Sequence, residues 1–518
     1  MYLRNVGLKI SQLADTEDDR PALKMPDGSV ITYGALNRRA NRVAAVLESR
    51  GLARRDVIAI VHTKTVQCYA VMLAALKLGA AYVNVDEQNP PIRLRHIFDT
   101  ARPKFVFAES SVPSIRETSL EAGAAFIDGA LDEFVAAVEA ASELEPASTP
   151  IVTGADPAYI MYTSGSTGIP KGAIITHANV LNFGAWVGSR FGIGFDDVLT
   201  NVNPMYFDNS VFDFYGALLN GAAIAPVGRE TLADGAATIA CIEKADCTVW
   251  FSVPSLLIYL MTVKLLTPER LGSIRTFVFG GEGYPKPELQ KLFNTFSPRS
   301  TLVNVYGPTE CTCICSAWNV RAEDFAEPGG LVTLGPIAEN FSAIVVDGDR
   351  TAHPGEMGEL WLMGPQVGLG YVNDKARTAA AFAPNPFNER WSEATYRTGD
   401  LVRLGEDGRK LYFVGRADNQ IKHMGYRIEL EEIEAALSKI ADVNQCAVLQ
   451  KTGRRGLKMI VAYVSSSAEL SEGAIRAQLE GMLPPYMIPQ IVSIRHTLPK
   501  NANGKIDRRA LADEGIPD

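Results

Sequence analysis

The sequence lacks an excess of positive charge: its 518 residues carry 50 Lys and Arg against 59 Asp and Glu, a formal net charge of −9. No nucleic-acid partner is expected, because neutralising phosphates needs a basic face. A membrane-spanning run is also missing. The most apolar stretch, residues 247–263, is short for a span and is interrupted at Pro254. It predicts a buried strand followed by a core helix, and no membrane partner.

Targeting and metal-binding patterns are equally scarce. Residues 1–20 contain neither the apolar stretch nor the cleavage-like ending of a signal peptide, which favours a cytoplasmic location. The seven cysteines include a run at Cys311, Cys313 and Cys315. No Cys-x-x-C spacing and no neighbouring histidine cluster completes a tetrahedral site. We interpret these three as small buried side chains that line a core or a pocket.

The sequence does contain a regular alternation of helical and strand-like segments. Helical patterns at 33–49 and 66–78 alternate with strand patterns at 57–61 and 81–85. Such alternation predicts an α/β protein in which helices cover both faces of mostly parallel sheets. The Ala-, Glu- and Ser-rich segment 109–157 has no clear pattern, and we predict a surface region there.

The pattern changes twice toward the C-terminus. From about residue 344, shorter strands and turns predict a small β subdomain. Beyond Arg416, helix and strand patterns over residues 429–483 predict a separate α+β unit. We therefore predict a large body over residues 1–416 and a smaller C-terminal domain over residues 417–518, called the lid below, with a hinge beside the polar stretch GRADNQ.

The stretch AYIMYTSGSTGIPKGA, residues 158–173, predicts a buried strand that runs into a polar, glycine-rich loop. Glycines let successive N–H groups turn inward, hydroxyls add donors and a lysine adds positive charge, a combination suited to nucleotide phosphates. No Gly-Lys-Ser/Thr ends a GxxxxGK spacing, so this is not a Walker loop. The alternative is a solvated Gly/Ser turn, which the order of hydroxyls, glycines, proline and lysine disfavours. The expected ATP-binding residues of the loop are Thr163, Ser164, Gly165, Ser166, Thr167, Gly168 and Lys171.

TSGSTGIPKG resembles the phosphate loop of the adenylate-forming superfamily, which includes acyl-CoA ligases, luciferases and the adenylation domains of nonribosomal peptide synthetases. Further segments match this family in the same order over nearly the whole chain, most closely the amino-acid-activating adenylation domains. These segments are LKLGAAYVNVD (76–86), YFDNSVFDF (206–214), NVYGPTE (304–310), GELWLMGPQVGLGY (358–371), YRTGDL (396–401), GRADNQIKHMGYRIELEEIE (415–434), LPPYMIP (483–489) and NGKIDR (503–508).

The resemblance implies nucleotide-binding roles outside the loop. Tyr306 follows a predicted strand, and the family stacks adenine on this tyrosine, at the strand end where open α/β sheets bind ligands. Asp400 is expected to accept hydrogen bonds from the ribose hydroxyls, and Arg416 to place a cation near the nucleotide. Glu310 offers a hard carboxylate oxygen to a magnesium ion that bridges the phosphates. The expected cofactors are ATP and Mg²⁺.

By the same resemblance, Lys505 in NGKIDR is the lysine that reaches the substrate carboxylate and the α-phosphate and stabilises the transition state. The family then rotates its C-terminal domain about the position of Asp418, so that the hairpin 422–427 replaces Lys505. Gly425 then lets a pantetheine arm approach the backbone. The expected catalytic residues are Lys505, Thr167, Lys171 and Glu310.

Asp208 in YFDNSVFDF indicates an α-amino-acid substrate, because family members pair an aspartate at this position with the substrate ammonium group. We interpret the neighbouring Asp213 as ordinary helix surface. The pocket predicts a branched aliphatic substrate, isoleucine or valine, with a small recess at Gly280. The polar side chain of Asn209 leaves a smaller or hydroxylated substrate open. The pocket positions carried over from the family are almost wholly apolar: Asn209, Phe212, Phe251, Val278, Gly280, Val305, Cys313 and Ile314.

The sequence contains neither the Gly-Gly-His/Asp-Ser motif of a carrier domain nor the HHxxxD motif of a condensation domain. We therefore expect a free-standing ligase or an excised domain that loads a phosphopantetheinylated carrier protein in trans; the need for a small activator protein stays open. One alternative is an acyl- or aryl-CoA ligase of the same fold, which Asp208 disfavours. Another is a catalytically inactive nucleotide-binding scaffold, which the complete set of expected catalytic residues disfavours.

Overall fold

A computed structural model of the chain describes residues 4–109, 112–165, 168–453, 458–466, 468–501 and 505–517. In chain order, the strands are β1 (Pro21–Lys24), β2 (Val30–Thr32), β3 (Val57–Val61), β4 (Ala81–Val85), β5 (Phe105–Ala108), β6 (Ala125–Asp128), β7 (Pro157–Thr163), β8 (Lys171–Thr176), β9 (Val198–Asn201), β10 (Ala223–Pro226), β11 (Val249–Ser252), β12 (Thr276–Phe279), β13 (Thr301–Tyr306), β14 (Ser316–Asn319), β15 (Ser342–Asp347), β16 (Arg350–Thr351), β17 (Met357–Met363), β18 (Gly370–Tyr371), β19 (Tyr396–Leu404), β20 (Leu411–Arg416), β21 (Gln420–His423), β22 (Tyr426–Glu429), β23 (Gln445–Thr452), β24 (Lys458–Ser465) and β25 (Ile491–Arg495).

The helices, in the same order, are α1 (Val6–Thr16), α2 (Tyr33–Ser49), α3 (Val66–Leu78), α4 (Pro91–Ala101), α5 (Pro113–Glu121), α6 (Asp132–Ala140), α7 (His177–Phe191), α8 (Asn209–Leu218), α9 (Arg229–Ala233), α10 (Gly235–Lys244), α11 (Pro254–Thr262), α12 (Lys286–Phe296), α13 (Lys375–Ala381), α14 (Leu430–Leu437), α15 (Glu472–Glu480) and α16 (Arg508–Asp513).

Two large, mostly parallel sheets form the body, as the alternating pattern predicts. One sheet has the strand order β18-β8-β7-β4-β3-β5-β6, and only β8 and β18 run antiparallel to their neighbours. The other has the order β14-β13-β12-β11-β9-β10-β1-β2, with antiparallel pairs only at its two ends. All residues of β4, β5 and β9 are buried. Burial on both faces explains why apolar residues predominate in β4 and β5.

Local signals set the bounds of the first long helices. Thr32 and Thr65 cap the N-termini of α2 and α3, and each hydroxyl accepts a hydrogen bond from a backbone N–H in the first turn, at 3.2 Å. Gly79 ends α3 in the left-handed conformation, with φ +72°. These caps explain why both helices have the bounds that the sequence pattern predicts, 33–49 and 66–78.

The antiparallel strands β15, β16, β17, β19 and β20 form a five-stranded sheet, which is the predicted β subdomain. Beyond Arg416 come the hairpin β21–β22 and a sheet of order β23-β24-β25. This part has its own apolar core, in which Ile433, Val448, Ile460 and Leu479 are buried together. A separate core allows the lid to keep its structure if it moves relative to the body.

Most described residues of the segment 109–157 are exposed or half-buried, as the sequence predicts, but the segment also has regular structure. The segment contains α5, β6 and α6, and β6 pairs in parallel with β5. Ile115, Phe134 and Val138 are buried. An edge strand and two short helices need only a few apolar residues. Between so many small and charged residues, these few form no apolar pattern that the sequence would reveal. Residues 247–263 do form a strand, β11, followed by a helix, α11, and no described helix is both long and apolar enough to cross a bilayer.

Asp156 fixes the start of β7. Its buried carboxylate accepts hydrogen bonds from Arg54, Arg55 and Thr153. Burial raises the pKa of this carboxyl, but the hydrogen bonds outweigh burial and lower the pKa from 3.8 to about 2. A depressed carboxyl pKa contributes stability above the pKa of the unfolded chain, and this contribution is lost as the pH falls through the folded value.

Replacing Asp156 with Asn should therefore lower the free energy of unfolding by about 2 kcal/mol at pH 7. The difference between variant and wild type should shrink to about half at pH 3, because the wild-type carboxylate has then lost part of its advantage. Urea unfolding of both proteins at the two pH values measures this. A difference that stays constant between pH 7 and pH 3 would contradict the assignment.

Candidate active site

The loop between β7 and β8 lies at the centre of the site. The two strands pair antiparallel, with Thr163 opposite Lys171, so the loop is a hairpin connection and not the strand-to-helix turn of a Walker loop. A Cβ atom at Gly165 would lie 2.1 Å from the carbonyl oxygen of Ile169, so only glycine fits there. Two residues expected to bind ATP lie outside the described residues: Ser166 and Thr167.

Glu310 lies in the loop after β13 and is fully buried. Its Oε1 accepts a hydrogen bond from the Tyr371 hydroxyl and its Oε2 one from Arg427 Nη1, both at 2.7 Å. The Lys171 ammonium lies 3.6 Å from Oε1. Burial raises the pKa of Glu310, but Arg427 and Lys171 outweigh burial and hold the pKa well below its ordinary range. The carboxylate is therefore ionised.

A magnesium ion does not fit at Glu310 in this arrangement. Arg427 already occupies one carboxylate oxygen, and Lys171 lies beside the other. A divalent cation needs oxygen ligands and not ammonium or guanidinium neighbours. Among the residues described, no group of three or more His, Cys, Asp or Glu side chains could hold a metal ion. The metal-binding role of Glu310 stays a prediction, and it requires Arg427 to withdraw.

The residues expected to bind the nucleoside lie together on β13, β19 and β20. Asp400 is buried, and its two oxygens accept hydrogen bonds from the Tyr306 hydroxyl and from Arg416 Nη1, the latter at 2.6 Å. Arg416 also binds both oxygens of Asp418, at 2.6 and 2.7 Å. The structure thus joins Tyr306, Asp400 and Arg416 into one network, with the expected hinge residue at its edge.

Asp208 lies directly before α8 and lines a cavity of about 50 Å³ together with Asn209, Thr309 and Ser164 of the phosphate loop. The hydroxyl of Thr309 donates a hydrogen bond to Oδ2 of Asp208 at 2.5 Å. Burial raises the pKa of Asp208, and the hydrogen bond from Thr309 opposes this rise. One carboxylate oxygen therefore faces the cavity beside the residues expected to bind phosphate.

The apolar pocket residues lie in the main core of the body. The rings of Phe212 and Phe251 pack edge to face, with centroids 4.8 Å apart. A Cβ atom at Gly280 would lie 2.5 Å from the carbonyl oxygen of Val305. The expected recess at Gly280 is therefore filled: this glycine allows a close approach of Val305 and leaves no space. The remaining members of the predicted pocket are buried in the same core: Val278, Cys313 and Ile314.

Asp213, which we interpreted from the sequence as helix surface, is fully buried on α8. Its Oδ2 accepts hydrogen bonds from the side-chain amides of Asn201 and Asn203, both at 3.1 Å. The prediction failed because α8 is buried all round. An isolated aspartate in a helix carries no sequence signal of the two asparagines that surround it in the fold.

The β21–β22 hairpin of the lid enters the site. Lys422 lines the Asp208 cavity, and its ammonium lies 5.5 Å from the centroid of the Tyr306 ring. Burial lowers the pKa of Lys422, while Asp400 and Asp208 oppose the shift. Gly425, at the turn, has φ +81°. The lysine ammonium therefore lies over the ring that is expected to stack on adenine.

Lys505 lies elsewhere in this arrangement. The residue is exposed, and its backbone N–H donates a hydrogen bond to Oδ1 of Asn501. It is not among the residues that line the Asp208 cavity, whereas Lys422 is. The Asp208 cavity thus contains some of the residues expected to bind the substrates, among them Ser164, Asp400 and Arg416, but not Lys505.

Contacts between the lid and the phosphate loop hold this arrangement. Arg93 on α4 and Glu432 on α14 form an ion pair and are both buried. The second oxygen of Glu432 accepts a hydrogen bond from the N–H of Gly165 at 3.3 Å. Ser164 donates to the carbonyl oxygen of Arg427 at 2.7 Å. Lid groups therefore occupy donors of the loop that is expected to bind nucleotide phosphates.

The sequence interpretation missed several residues of this site. Thr309 and Tyr371 lie inside the quoted segments and contact Asp208 and Glu310, but no role was assigned to them. Arg427 was expected only as the end of the lid hairpin, and its contact with Glu310 was not predicted. Arg93 lies outside every quoted segment. Its partner Glu432 belongs to an acidic helix start, a pattern that usually indicates a solvated first turn. Only the fold shows that the two charges face each other.

Replacing Arg93 with Ala should release the lid from this orientation. Removing one partner of a buried ion pair costs about 3–5 kcal/mol, because the other charge stays buried without a counter-ion. Here the pair joins the lid to the body, so the cost falls on their contact. We expect faster amide hydrogen exchange in residues 426–437, measured by mass spectrometry.

The matched control is Arg95→Ala on the same helix. Arg95 is 41% exposed and pairs with Asp99, and such surface pairs contribute little. Hydrogen exchange in the lid should stay at the wild-type rate in this variant. Equal lid exchange in the Arg93 and Arg95 variants would show that the buried pair does not hold the lid.

Comparison with known proteins identifies the family to which the chain belongs and known structures with the same fold. The family model described as AMP-binding enzyme matches residues 11–372, and the model described as AMP-binding enzyme C-terminal domain matches residues 432–505. An L-proline–[L-prolyl-carrier protein] ligase from Streptomyces coelicolor is 35% identical over 518 residues, which cover 96% of this chain and 94% of that protein.

A dimodular nonribosomal peptide synthase from Bacillus subtilis is 33% identical over 491 residues, 94% of this chain but 20% of that protein. The chain spans between 6% and 20% of the first five curated relatives that it matches. Among solved structures, a double mutant of o-succinylbenzoate CoA synthetase from Bacillus subtilis has a TM-score of 0.84 at 22% identity, with 99% of both chains covered. At that identity, the likeness concerns the fold alone. The two matched family models cover most of the chain, and the chain therefore belongs to the AMP-binding enzyme family.

Proposed function

We propose that the chain activates an α-amino acid with ATP, giving aminoacyl-AMP and pyrophosphate, and then transfers the aminoacyl group to the phosphopantetheine thiol of a carrier protein in trans. One observation carries the proposal: the carboxylate of Asp208 lines the same cavity as Ser164 of the phosphate loop. A free carboxylate oxygen there is suited to bind a substrate ammonium group through a charge-assisted hydrogen bond. The substrate carboxylate then lies toward the phosphates.

In the first step, a carboxylate oxygen of the amino acid attacks the α-phosphorus of ATP. One P–O bond forms, and the bond to pyrophosphate breaks. Lys505 supplies the positive charge for this step once the lid has turned it into the site. In the second step, the carrier thiol attacks the acyl carbon, AMP leaves, and the thiol proton passes to solvent. No oxidant or reductant is needed.

The two steps require two lid positions. We propose residues 1–416 as the body and 417–518 as the lid, with the hinge at Asp418. The arrangement described above, with Lys422 in the cavity and Arg427 on Glu310, is suited to the second step, because the lid then occupies phosphate-binding donors that ATP needs. Closure and opening of this kind gate many two-step enzymes.

An aliphatic amino acid is the proposed substrate class. Phe212, which follows Asp208 by four residues on α8, packs its ring against Phe251 in the apolar core, and the cavity at Asp208, of about 50 Å³, leaves little room for a long side chain. Isoleucine and valine fit the apolar lining predicted from the sequence. The name of the Streptomyces coelicolor relative adds proline as a second candidate. Apolar pockets separate neighbours that differ by one methylene by only about 1–3 kcal/mol.

Amino-acid-dependent exchange of labelled pyrophosphate into ATP, run over all proteinogenic amino acids, tests the proposal. We expect the highest rate with one of valine, isoleucine or proline, with slower exchange for its nearest neighbours. No exchange with any amino acid would refute the proposed activation, and a preference for lysine or glutamate would refute the pocket assignment. A second assay compares coenzyme A with a phosphopantetheinylated carrier protein as acceptor, because an acyl-CoA ligase would prefer the former.

A further inference from the structure

The turn of the β21–β22 hairpin lies against the start of α11 in the body. Met424 and Gly425 form this turn, and both have a positive φ, +51° and +81°. Positive φ at both positions is common in two-residue hairpin turns. A Cβ atom at Gly425 would lie 2.4 Å from Cγ1 of Val253, the residue directly before α11. Only glycine therefore fits at this contact between lid and body.

Glu282, a half-buried residue of the body, binds the turn. Its Oε2 accepts a hydrogen bond from the N–H of Gly425 at 3.3 Å, and its Oε1 accepts one from the N–H of Ser255 at 2.6 Å. Ser255 lies in the first turn of α11, where backbone N–H groups have no partner within the helix. One carboxylate therefore binds the body through one oxygen and the lid through the other.

The two hydrogen bonds of Glu282 differ in how they depend on the lid. The shorter one, to Ser255, lies wholly within the body and does not require the lid. The dipole of α11 also favours a negative charge at this end of the helix. The body therefore holds the carboxylate in place, and Gly425 meets an acceptor that is already oriented. An oriented acceptor loses little side-chain freedom when the lid docks.

The turn also borders the proposed amino-acid site. Gly425 lines both the Asp208 cavity and a second cavity, of about 250 Å³. Phe207 and Asn209 line the same two cavities. The turn thus supplies the lid's part of a wall that the two cavities share. A displaced turn would change this wall, and not only the outer surface of the lid.

Two cations of the site lie close to the turn in the chain. Lys422 precedes the turn and lies over the Tyr306 ring, and Arg427 follows the turn and binds Glu310. Both belong to the sheet formed by β21 and β22, which has two strands. A two-stranded hairpin has little stability of its own. The positions of both cations therefore depend on what holds the hairpin against the body.

We propose that Glu282 is a positioning residue for the transfer of the aminoacyl group: its carboxylate holds the hairpin turn and so keeps Lys422 and Arg427 in the site during that step. This inference rests on the proposed function. Glu282 acts through the hairpin and is not among the residues that line the Asp208 cavity. The activation step requires the other lid position and does not use this contact.

Glu282→Gln separates the two hydrogen bonds. The glutamine oxygen accepts from Ser255, the shorter contact, and the NH₂ group then faces the N–H of Gly425 without an acceptor. One assay is single-turnover transfer from supplied aminoacyl-AMP to free pantetheine, which carries the thiol arm. We expect transfer to slow about fivefold or more and pyrophosphate exchange to change less than about twofold, because only the transfer position of the lid loses a hydrogen bond to a charged group.

Amide hydrogen exchange, measured by mass spectrometry, reports on the hairpin directly. In Glu282→Gln, residues 420–429 should exchange faster, while residues 254–262 of α11 keep the wild-type rate. Glu282→Ala removes both hydrogen bonds, so it should slow transfer as the Gln variant does and also loosen α11. A residue that only caps α11 predicts another order: Glu282→Gln would match the wild type, and only the Ala variant would change.

Asp407→Asn is the matched control. Asp407 also accepts hydrogen bonds from two backbone N–H groups, those of Arg409 and Lys410 at 3.0 and 2.9 Å, but both lie in one turn of the β subdomain. This variant should keep wild-type transfer and wild-type hydrogen exchange in the hairpin.

The inference would be overturned if Glu282→Gln left either transfer or hairpin hydrogen exchange unchanged, or if Asp407→Asn changed them equally. Absence of pyrophosphate exchange and of transfer in the wild type would instead refute the proposed function. Hydrogen exchange alone would then decide whether Glu282 holds the turn.

Discussion

Replacing Lys505 with alanine is expected to lower amino-acid-dependent pyrophosphate exchange by about 10²–10³-fold, the effect of removing one preorganised donor to a developing charge. The loss should appear in kcat, because the lysine acts on the transition state and not on the bound substrates. In the arrangement described here, Lys505 is exposed and Lys422 lies in the cavity. Transfer of the aminoacyl group from a supplied aminoacyl-AMP to the carrier should therefore proceed at nearly the wild-type rate.

Lys500→Ala provides the control for charge and for local disturbance. Lys500 is also exposed, and its backbone forms an isolated β-bridge with Ile506, the residue after Lys505. Its removal should leave both half-reactions unchanged. Undiminished exchange in Lys505→Ala would remove the catalytic assignment, and equal losses in both half-reactions would contradict the two lid positions.

Replacing Asp208 with asparagine should raise KM for the amino acid by about 10²–10³-fold. Asparagine keeps the shape of the side chain but removes the counter-charge of the substrate ammonium, and leaving a buried charge unpaired costs about 3–5 kcal/mol. In the variant, the Thr309 hydroxyl can donate the same hydrogen bond to the amide oxygen of asparagine. The local fold should therefore persist. Steady-state exchange kinetics with the preferred amino acid measure the change.

The carboxylic acid that lacks the amino group tests the same contact from the substrate side. The wild type should reject this analogue strongly, because Asp208 would stay buried without a partner. The Asn variant should accept the analogue and the amino acid with similar KM values. An Asn variant that still discriminates like the wild type would show that the ammonium is bound elsewhere, and would reopen the acyl-CoA ligase alternative.

Much of the fold was predictable from sequence because the signals are local. Thr32 and Thr65 cap helices, Gly79 ends one, and apolar runs such as 57–61 and 81–85 become central strands. Each signal acts within a few residues of chain. At 109–157, where apolar residues are sparse, the sequence predicts a surface region but not its helices and strand, because edge strands and short helices need few apolar residues.

The site was less predictable than the fold. Motif order brought Asp208, Glu310, Tyr306 and Asp400 into one hypothesis. In the structure, Asp208 and Asp400 line one cavity, and Tyr306 and Glu310 bind residues that line it. Motif order did not indicate that Arg427 binds Glu310, because an ion pair between the lid and the body depends on their relative position.

The sequence by itself determined the alternation of helices and strands, the phosphate-loop pattern and the family, since these are written in short-range spacing and motif order. Only the tertiary structure decided which charges meet: Arg93 with Glu432, Lys422 with the Tyr306 ring, and Asp213 with two asparagines. The physical reason is that burial and partner, not residue type, set the energy of a charged group. Both are properties of residues far apart in the chain.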